Sequence, residues 1–457
     1  MAVAGAPWEP GPEKVESWSS IEVSRRLLGE DVEYRRVDMP LEWAKICASR
    51  IREHLRNWMR CNWEGLEDER LGHLTDWILA CAIARENCLL LGEPGVAKSE
   101  IAVQFFRRLS LKSPSVDDAK LKELAKADVF DLSWWTEREK AEREQQKYFH
   151  YLLSRFSQVE ELFGPIELEL LKKGIMARVN FGLLTGPGVR AAFLDEVFKA
   201  SSSVLNTLLT LTQERTYFNR GGMVPSDLVM FIAASNEMPG GFATGMYGQG
   251  SGGEDFQTLH AFLDRFPIRI EIPNASGSNH VSPDKMETDL GKAFKLAKKR
   301  EAQRFTTGQP FPGLKPAESP CINDILLLGR CCMQGLDSEP TQPLLFDREK
   351  LKIFDQCFIN IGCQLQTESG FHNTFDERDT ITWSVSPRKL RSLYKIALAH
   401  ALVRDAKFDG DNVRYVRGPG VDSLRVFDMI WDSPVSRMDL HRRNDQRFRE
   451  AKRKLSQ

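Results

Sequence analysis

The stretch Leu91-Gly-Glu-Pro-Gly-Val-Ala-Lys-Ser99 constrains this chain more than any other, because it follows the apolar run Cys88-Leu89-Leu90 directly. A short buried strand, a glycine-rich turn and a Lys-Ser pair, in that order, are what a row of phosphates requires. Backbone N–H groups of the turn and of the helix opening after it surround anionic oxygens. Lys98 adds a mobile positive charge, and the Ser99 hydroxyl suits magnesium. The residues set to line such a site are Gly92, Glu93, Pro94, Gly95, Val96, Ala97, Lys98, Ser99 and Glu100. Ala97 stands where the usual pattern has glycine. Alanine keeps its N–H, so phosphate binding survives unless the position needs a positive φ. The competing reading is an ordinary Gly-Pro turn ahead of a helix.

The 457 residues suffice for two or three domains, and 42% hydrophobic content supports proper cores. A formal net charge of −1 argues against wholesale wrapping of nucleic acid, although a local basic face is compatible with it. No window approaches the roughly 18 uninterrupted apolar residues of a membrane span. Met1-Ala2-Val3-Ala4-Gly5 lacks the basic segment and apolar run of a secretory signal. Nine cysteines, odd in number and without a CxxC spacing, fit reduced thiols in the cytoplasm rather than a disulfide framework or a zinc site.

Residues 1–65 read as an N-terminal helical extension. Its first twenty positions are loose, and an amphipathic helix at 41–60 carries Leu41, Trp43, Ile46, Ile51, Leu55 and Trp58. Strands alternating with helices over 66–275 imply an α/β fold with a parallel sheet and ligands at the strand C-termini. Two insertions interrupt that region. One is a charged stretch at 111–147, read as an exposed helix. The other is a loop at 238–253 containing seven glycines. From 276 to 405 the patterns are helical, near 286–303, 321–334, 347–363 and 387–404. Residues 406–457 form a tail that ends in a basic helix, Arg442-Arg443 through Lys454.

Ala191-Ala-Phe-Leu-Asp-Glu196 is an apolar strand ending in two acids. In a phosphate-cleaving site Asp195 would hold magnesium through water or Ser99, while Glu196 would polarise the attacking water. Adjacent acids after an apolar run also arise by chance, but less readily downstream of a phosphate loop. Asn236 ends the next apolar strand, where its amide is suited either to orienting that water or to capping a turn. Arg265, in Leu263-Asp-Arg-Phe266, and Arg388, after Pro387 at a helix start, carry the planar guanidinium that grips phosphate oxygens. The plainer reading of either arginine is a surface ion pair.

Together these segments resemble an AAA+ ATPase, and more narrowly a MoxR-family one. The likeness rests on Gly92-Glu-Pro-Gly-Val-Ala-Lys-Ser99, Ser154-Arg-Phe-Ser-Gln-Val-Glu-Glu-Leu-Phe-Gly-Pro165, Phe193-Leu-Asp-Glu-Val-Phe-Lys-Ala200, Leu205-Asn-Thr-Leu-Leu208 and Ala233-Ala-Ser-Asn-Glu237. It spans about 85–275 and reaches Arg388. The resemblance implies an AAA+ P-loop core, a parallel sheet flanked by helices, followed by a mainly helical lid. It makes Lys98 and Ser99 Walker A residues, Asp195 and Glu196 Walker B, Asn236 sensor 1 and Arg388 sensor 2. Arg265 becomes a finger donated to a neighbour's nucleotide, and residues 166–190 match the insert of the helix-2-insert branch. ATP and Mg2+ are the implied ligands. A ring, usually a hexamer, and a partner bearing a von Willebrand A domain are the implied company. Remodelling or activation of that partner, as a chaperone does, is the implied work.

Three other readings remain open on the residues. One is a nucleotide-switched scaffold with slow turnover, which the intact Asp195-Glu196 pair disfavours. A second is a nucleic-acid motor or sensor, for which 442–454 and Lys295–Arg304 are the basic candidates and near-neutral charge the counterargument. The third is a subunit that drives metal insertion into a cofactor.

Overall fold

A computed structural model of the chain describes residues 47–63, 66–68, 70–113, 142–143, 145–236, 258–259, 261–273, 320–334, 346, 348–370, 385–405, 408–409, 412–413, 419–431 and 434–456. The expected loose N-terminus, most of the charged insertion, the glycine-rich loop and the helix near 286–303 lie outside the described residues.

Two short strands, β1 (Glu67–Asp68) and β2 (Gly72–His73), pair antiparallel ahead of the helix Leu74–Ala84. The main sheet then draws in β3 (Cys88–Leu91), β4 (Lys147–Leu152) and β5 (Val189–Asp195). A hairpin of β6 (Thr216–Asn219) and β7 (Gly222–Pro225) intervenes before β8 (Met230–Ser235) and β9 (Ile268–Glu271). The five-stranded sheet is parallel, in the order β4-β5-β8-β3-β9. Every residue of β3 and β8 is buried. That explains their unbroken apolar runs, since a central parallel strand has a covered layer on each face. The register sets Leu91 opposite Ser235 and Leu194 opposite Ala233. Three strand C-termini therefore finish side by side at one rim, where a doubly wound sheet binds its ligands.

Strand β4 corrects the exposed-helix reading of the segment up to 147. Lys147 is buried and opens the strand, with its ammonium paired to the buried Glu142 carboxylate. Pairing lets two charges sit where one alone would not be tolerated.

The helix Leu74–Ala84 is buried along its whole length. It lies against the helix Pro387–Asp405, with Trp77 stacked on His400 at 3.8 Å and Lys395 Nζ donating to Glu86 Oε1 at 2.6 Å. Residue numbers rise on one helix as they fall on the other, so the pair is antiparallel. The start of the Pro387 helix is thereby carried to the entrance of β3. Burial, with Arg404 and Arg56 nearby, pushes the His400 imidazole down to about 3 and keeps it neutral.

The basic tail of the sequence reading is a packed helix, Pro434–Leu455. Asn444 is fully buried and donates to Asp428 Oδ1 at 2.9 Å. Arg70 binds Asp445 and donates to the His441 carbonyl at 3.0 Å. Lys452, Arg453 and Lys454 stay exposed on the opposite face. The C-terminal segment also packs against the outermost strand, β9. Arg269 donates to the Ile430 carbonyl at 3.1 Å, and Arg437 pairs with Glu271, both sheet residues lying on β9.

Candidate nucleotide site

The phosphate loop leaves β3 at Leu91, whose carbonyl accepts the Ile272 N–H at 2.7 Å. Gly92 is required there, since a Cβ at this position would stand 2.8 Å from the Ile272 carbonyl oxygen. The loop crest, Glu93 to Gly95, is exposed. Ala97 has φ 66° and ψ 25°, the left-handed conformation. The condition under which alanine matters is therefore met, and the loop carries roughly 1 kcal/mol of backbone strain that glycine would not. The helix Lys98–Arg108 opens immediately after it, with the Ile101 N–H on the Ala97 carbonyl at 2.9 Å. Glu100 is turned onto its own helix and accepts from Gln104 at 2.8 Å.

Lys98 is buried and folded back. Its ammonium donates to the Gly92 carbonyl at 2.6 Å, the Glu93 carbonyl at 3.0 Å and Asn236 Oδ1 at 2.7 Å. Burial pushes this ammonium down, while Asp195 and Glu196 hold it up. Ser99 Oγ donates to Asp195 Oδ2 at 2.5 Å. Glu196 leaves the end of β5 with φ 52°, and its N–H donates to Asp195 Oδ1 at 3.0 Å. One Glu196 oxygen accepts from the Asn236 amide, and the other pairs with Lys199 Nζ at 3.2 Å. Lys98, Ser99, Asp195, Glu196 and Asn236 thus form one continuous network at the shared rim of β3, β5 and β8.

This donor set fits magnesium carried in by a nucleotide. Ser99 and Asp195 offer one hydroxyl and one carboxylate, the hard oxygens that Mg2+ takes alongside phosphates and water. Among the described residues no group of three or more His, Cys, Asp or Glu is gathered as a self-sufficient metal cage.

Arg265 and Arg388 do not join that network. They meet at Asp264, whose Oδ2 lies 3.2 Å from Arg388 and 3.9 Å from Arg265. The Arg265 carbonyl accepts from Asn87, the residue before β3, at 2.7 Å. Ile268, which opens β9, is in register with Cys88. Both arginines therefore belong to the entry end of the sheet. The phosphate loop lies at the exit end, about 10–13 Å further along a four-residue strand. Burial, then the nearby Arg388, lowers the Arg265 guanidinium from its usual value. Lys199 and Asp264 were not singled out from sequence. Their one signal was position, three residues after Glu196 and one before Arg265.

The parallel sheet and the loop at its rim define a P-loop nucleotide-binding core. Residues 136–309 match the family described as the MoxR domain in the MoxR-vWA-beta-propeller ternary systems. That match covers well under half of the chain, and over it the chain is similar to a MoxR domain. Two uncharacterized proteins of Methanocaldococcus jannaschii, MJ0812 and MJ0079, are 32% identical to it over 208 and 195 residues, 45% and 42% of this chain. The chain spans only about two-fifths of their lengths, 42% and 38%. A solved structure from Cytophaga hutchinsonii, to which ATPase activity is ascribed, aligns with a TM-score of 0.46 at 14% identity, covering 89% of this chain and 96% of that one.

Proposed function

We propose that this chain hydrolyses ATP within an oligomeric ring, a hexamer by family resemblance, and spends the cycle remodelling or activating a protein partner. The convergence of Lys98, Ser99, Asp195, Glu196 and Asn236 on three adjacent strand ends carries this reading. Incoming phosphate oxygens replace the two loop carbonyls as partners of Lys98. Magnesium, held by Ser99 and Asp195, would neutralise charge on those oxygens. Glu196, steadied by Asn236 and Lys199, takes a proton from the attacking water. The placement of Arg265 and Arg388 supports division of the site between protomers. Both guanidiniums stand at the entry end of the sheet, away from their own phosphate loop, which favours donation of Arg265 to a neighbour's nucleotide. The description of the matched family favours a von Willebrand A-domain protein as partner.

Steady-state phosphate release tests the hydrolysis. Glu196→Gln is expected to bind ATP within about threefold of wild type and to lose about 10²–10⁴-fold in turnover. Turnover near the wild-type rate would remove Glu196 from the role of base.

A further inference from the structure

We infer that Asn87 is a positioning residue for Arg265, holding the finger in the pose in which it meets the neighbouring protomer's nucleotide. The inference rests on Arg265 acting across that seam, as proposed above.

Asn87 is buried at the turn between the helix Leu74–Ala84 and β3. Its side-chain amide donates twice, to the Arg265 carbonyl at 2.7 Å and to the Thr212 carbonyl at 2.9 Å. Its Oδ1 accepts from the Arg215 guanidinium at 2.7 Å. One side chain thus makes three bonds to two separate segments. The first is the end of the helix Ser202–Glu214, with the Arg215 that caps it in the left-handed conformation at φ 56°. The second is the backbone of the finger itself. A buried asparagine with both donors and its acceptor engaged has one rotamer open to it, because any other leaves polar groups unpaired.

That fixity matters because the finger's head is held through charge, by Asp264 and Glu214, while its backbone is pinned by bonds to Asn87 and to the Phe262 carbonyl at 3.0 Å. Arg265 Nε is buried with no hydrogen-bond partner among the described residues, and the Asp264 carboxylate is 3.9 Å away and shared with Arg388. The guanidinium is thus held by its backbone more than by its head. Asn87 bonds that backbone at the residue concerned. A finger displaced by a fraction of an ångström loses the bidentate geometry that makes arginine effective on a phosphate. Asn87 touches neither nucleotide nor reacting atom, so its effect has to pass through Arg265.

Mixed rings test this. Asn87→Ala is expected to lower turnover about tenfold while ATP affinity stays within about twofold, the size expected for one lost buried hydrogen bond acting only on the transition state. Mixing it in equal amount with Glu196→Gln, whose finger is intact, should raise phosphate release about fivefold above the sum of the two alone, since half of its sites gain a sound neighbour. Mixing it with Arg265→Ala should give the sum and no more. Asn87→Asp keeps the contact to Arg215 but sets an oxygen against both the Arg265 and the Thr212 carbonyls. It should repeat the pattern, and it carries the test if the alanine variant does not fold. Wild-type turnover in both variants overturns the inference, and so does rescue by Arg265→Ala. It is equally overturned if Glu196→Gln rescues Arg265→Ala but neither Asn87 variant. Should Glu196→Gln fail to rescue Arg265→Ala as well, the division of the site between protomers falls, and the role of Asn87 with it.

Discussion

The cleft around Lys98 and the cluster around Asp264 use similar charged side chains in different ways. In the cleft, Asp195 and Glu196 stand beside the buried Lys98, with Lys199 at the margin. Around Asp264, two guanidiniums share one ion-paired carboxylate. The first arrangement is internally satisfied, two acids facing two ammoniums with each polar head engaged at hydrogen-bonding distance. In the second, burial and the nearby Arg388 depress the Arg265 guanidinium, while Asp264 and Glu214 hold it up. The difference teaches that one end of this sheet closes its polar heads into a single network, while the other leaves the Arg265 head held mainly through charge.

Removing a cation from the Asp264 cluster should have the largest effect. Arg265→Ala is expected to cost about 10³-fold in turnover and to leave ATP affinity within about threefold, read by phosphate release and equilibrium binding. Affinity falling as far as turnover would put Arg265 in its own protomer's cleft and erase the distinction. Asp264→Asn removes the shared carboxylate without touching the phosphate loop. A change in turnover of about tenfold at constant ATP affinity is expected, from the altered pose of Arg265 and Arg388. Loss of ATP binding by this variant would show that the two clusters are one. The smallest effect belongs to the cleft side. Ala97→Gly relieves a left-handed alanine and should stabilise the fold by about 1 kcal/mol in urea or thermal unfolding, with ATP binding retained. A destabilised glycine variant would mean that the loop holds no such strain.

The cleft was legible in the sequence because its parts lie at the ends of apolar runs, and parallel strands in register finish together. Leu91, Asp195 and Ser235 each close a run that reads as buried, so Lys98, Asp195 and Asn236 could be placed on a common rim before any coordinates. Ala97 was legible as an exception, but its cost depended on φ, which composition does not encode. The Asp264 cluster was not legible. Asp264 and Arg388 are 124 positions apart and meet only because the Leu74 and Pro387 helices run antiparallel. Asn87 gave no signal at all, being one polar residue in a turn. Strand β4 was missed for a related reason. It opens on Lys147, and only the partner Glu142 makes a buried lysine admissible there. The C-terminal helix was foreseen as basic, but its docking was not, because its polar surface outweighs the few residues that seat it, Asn444 and Phe448 among them.

The clasp on β9 reaches beyond local packing. A border strand left bare is a template on which another chain can lay its own backbone. Here the carbonyl of Ile430 and the guanidinium of Arg437 grip the Arg269 and Glu271 side chains, which leave that border strand on one face. The C-terminal segment thus braces the outermost strand and keeps it seated on the sheet. A chain cut short ahead of it would fray into intermolecular strand pairing, and clumping through β9 would be the first fault to appear.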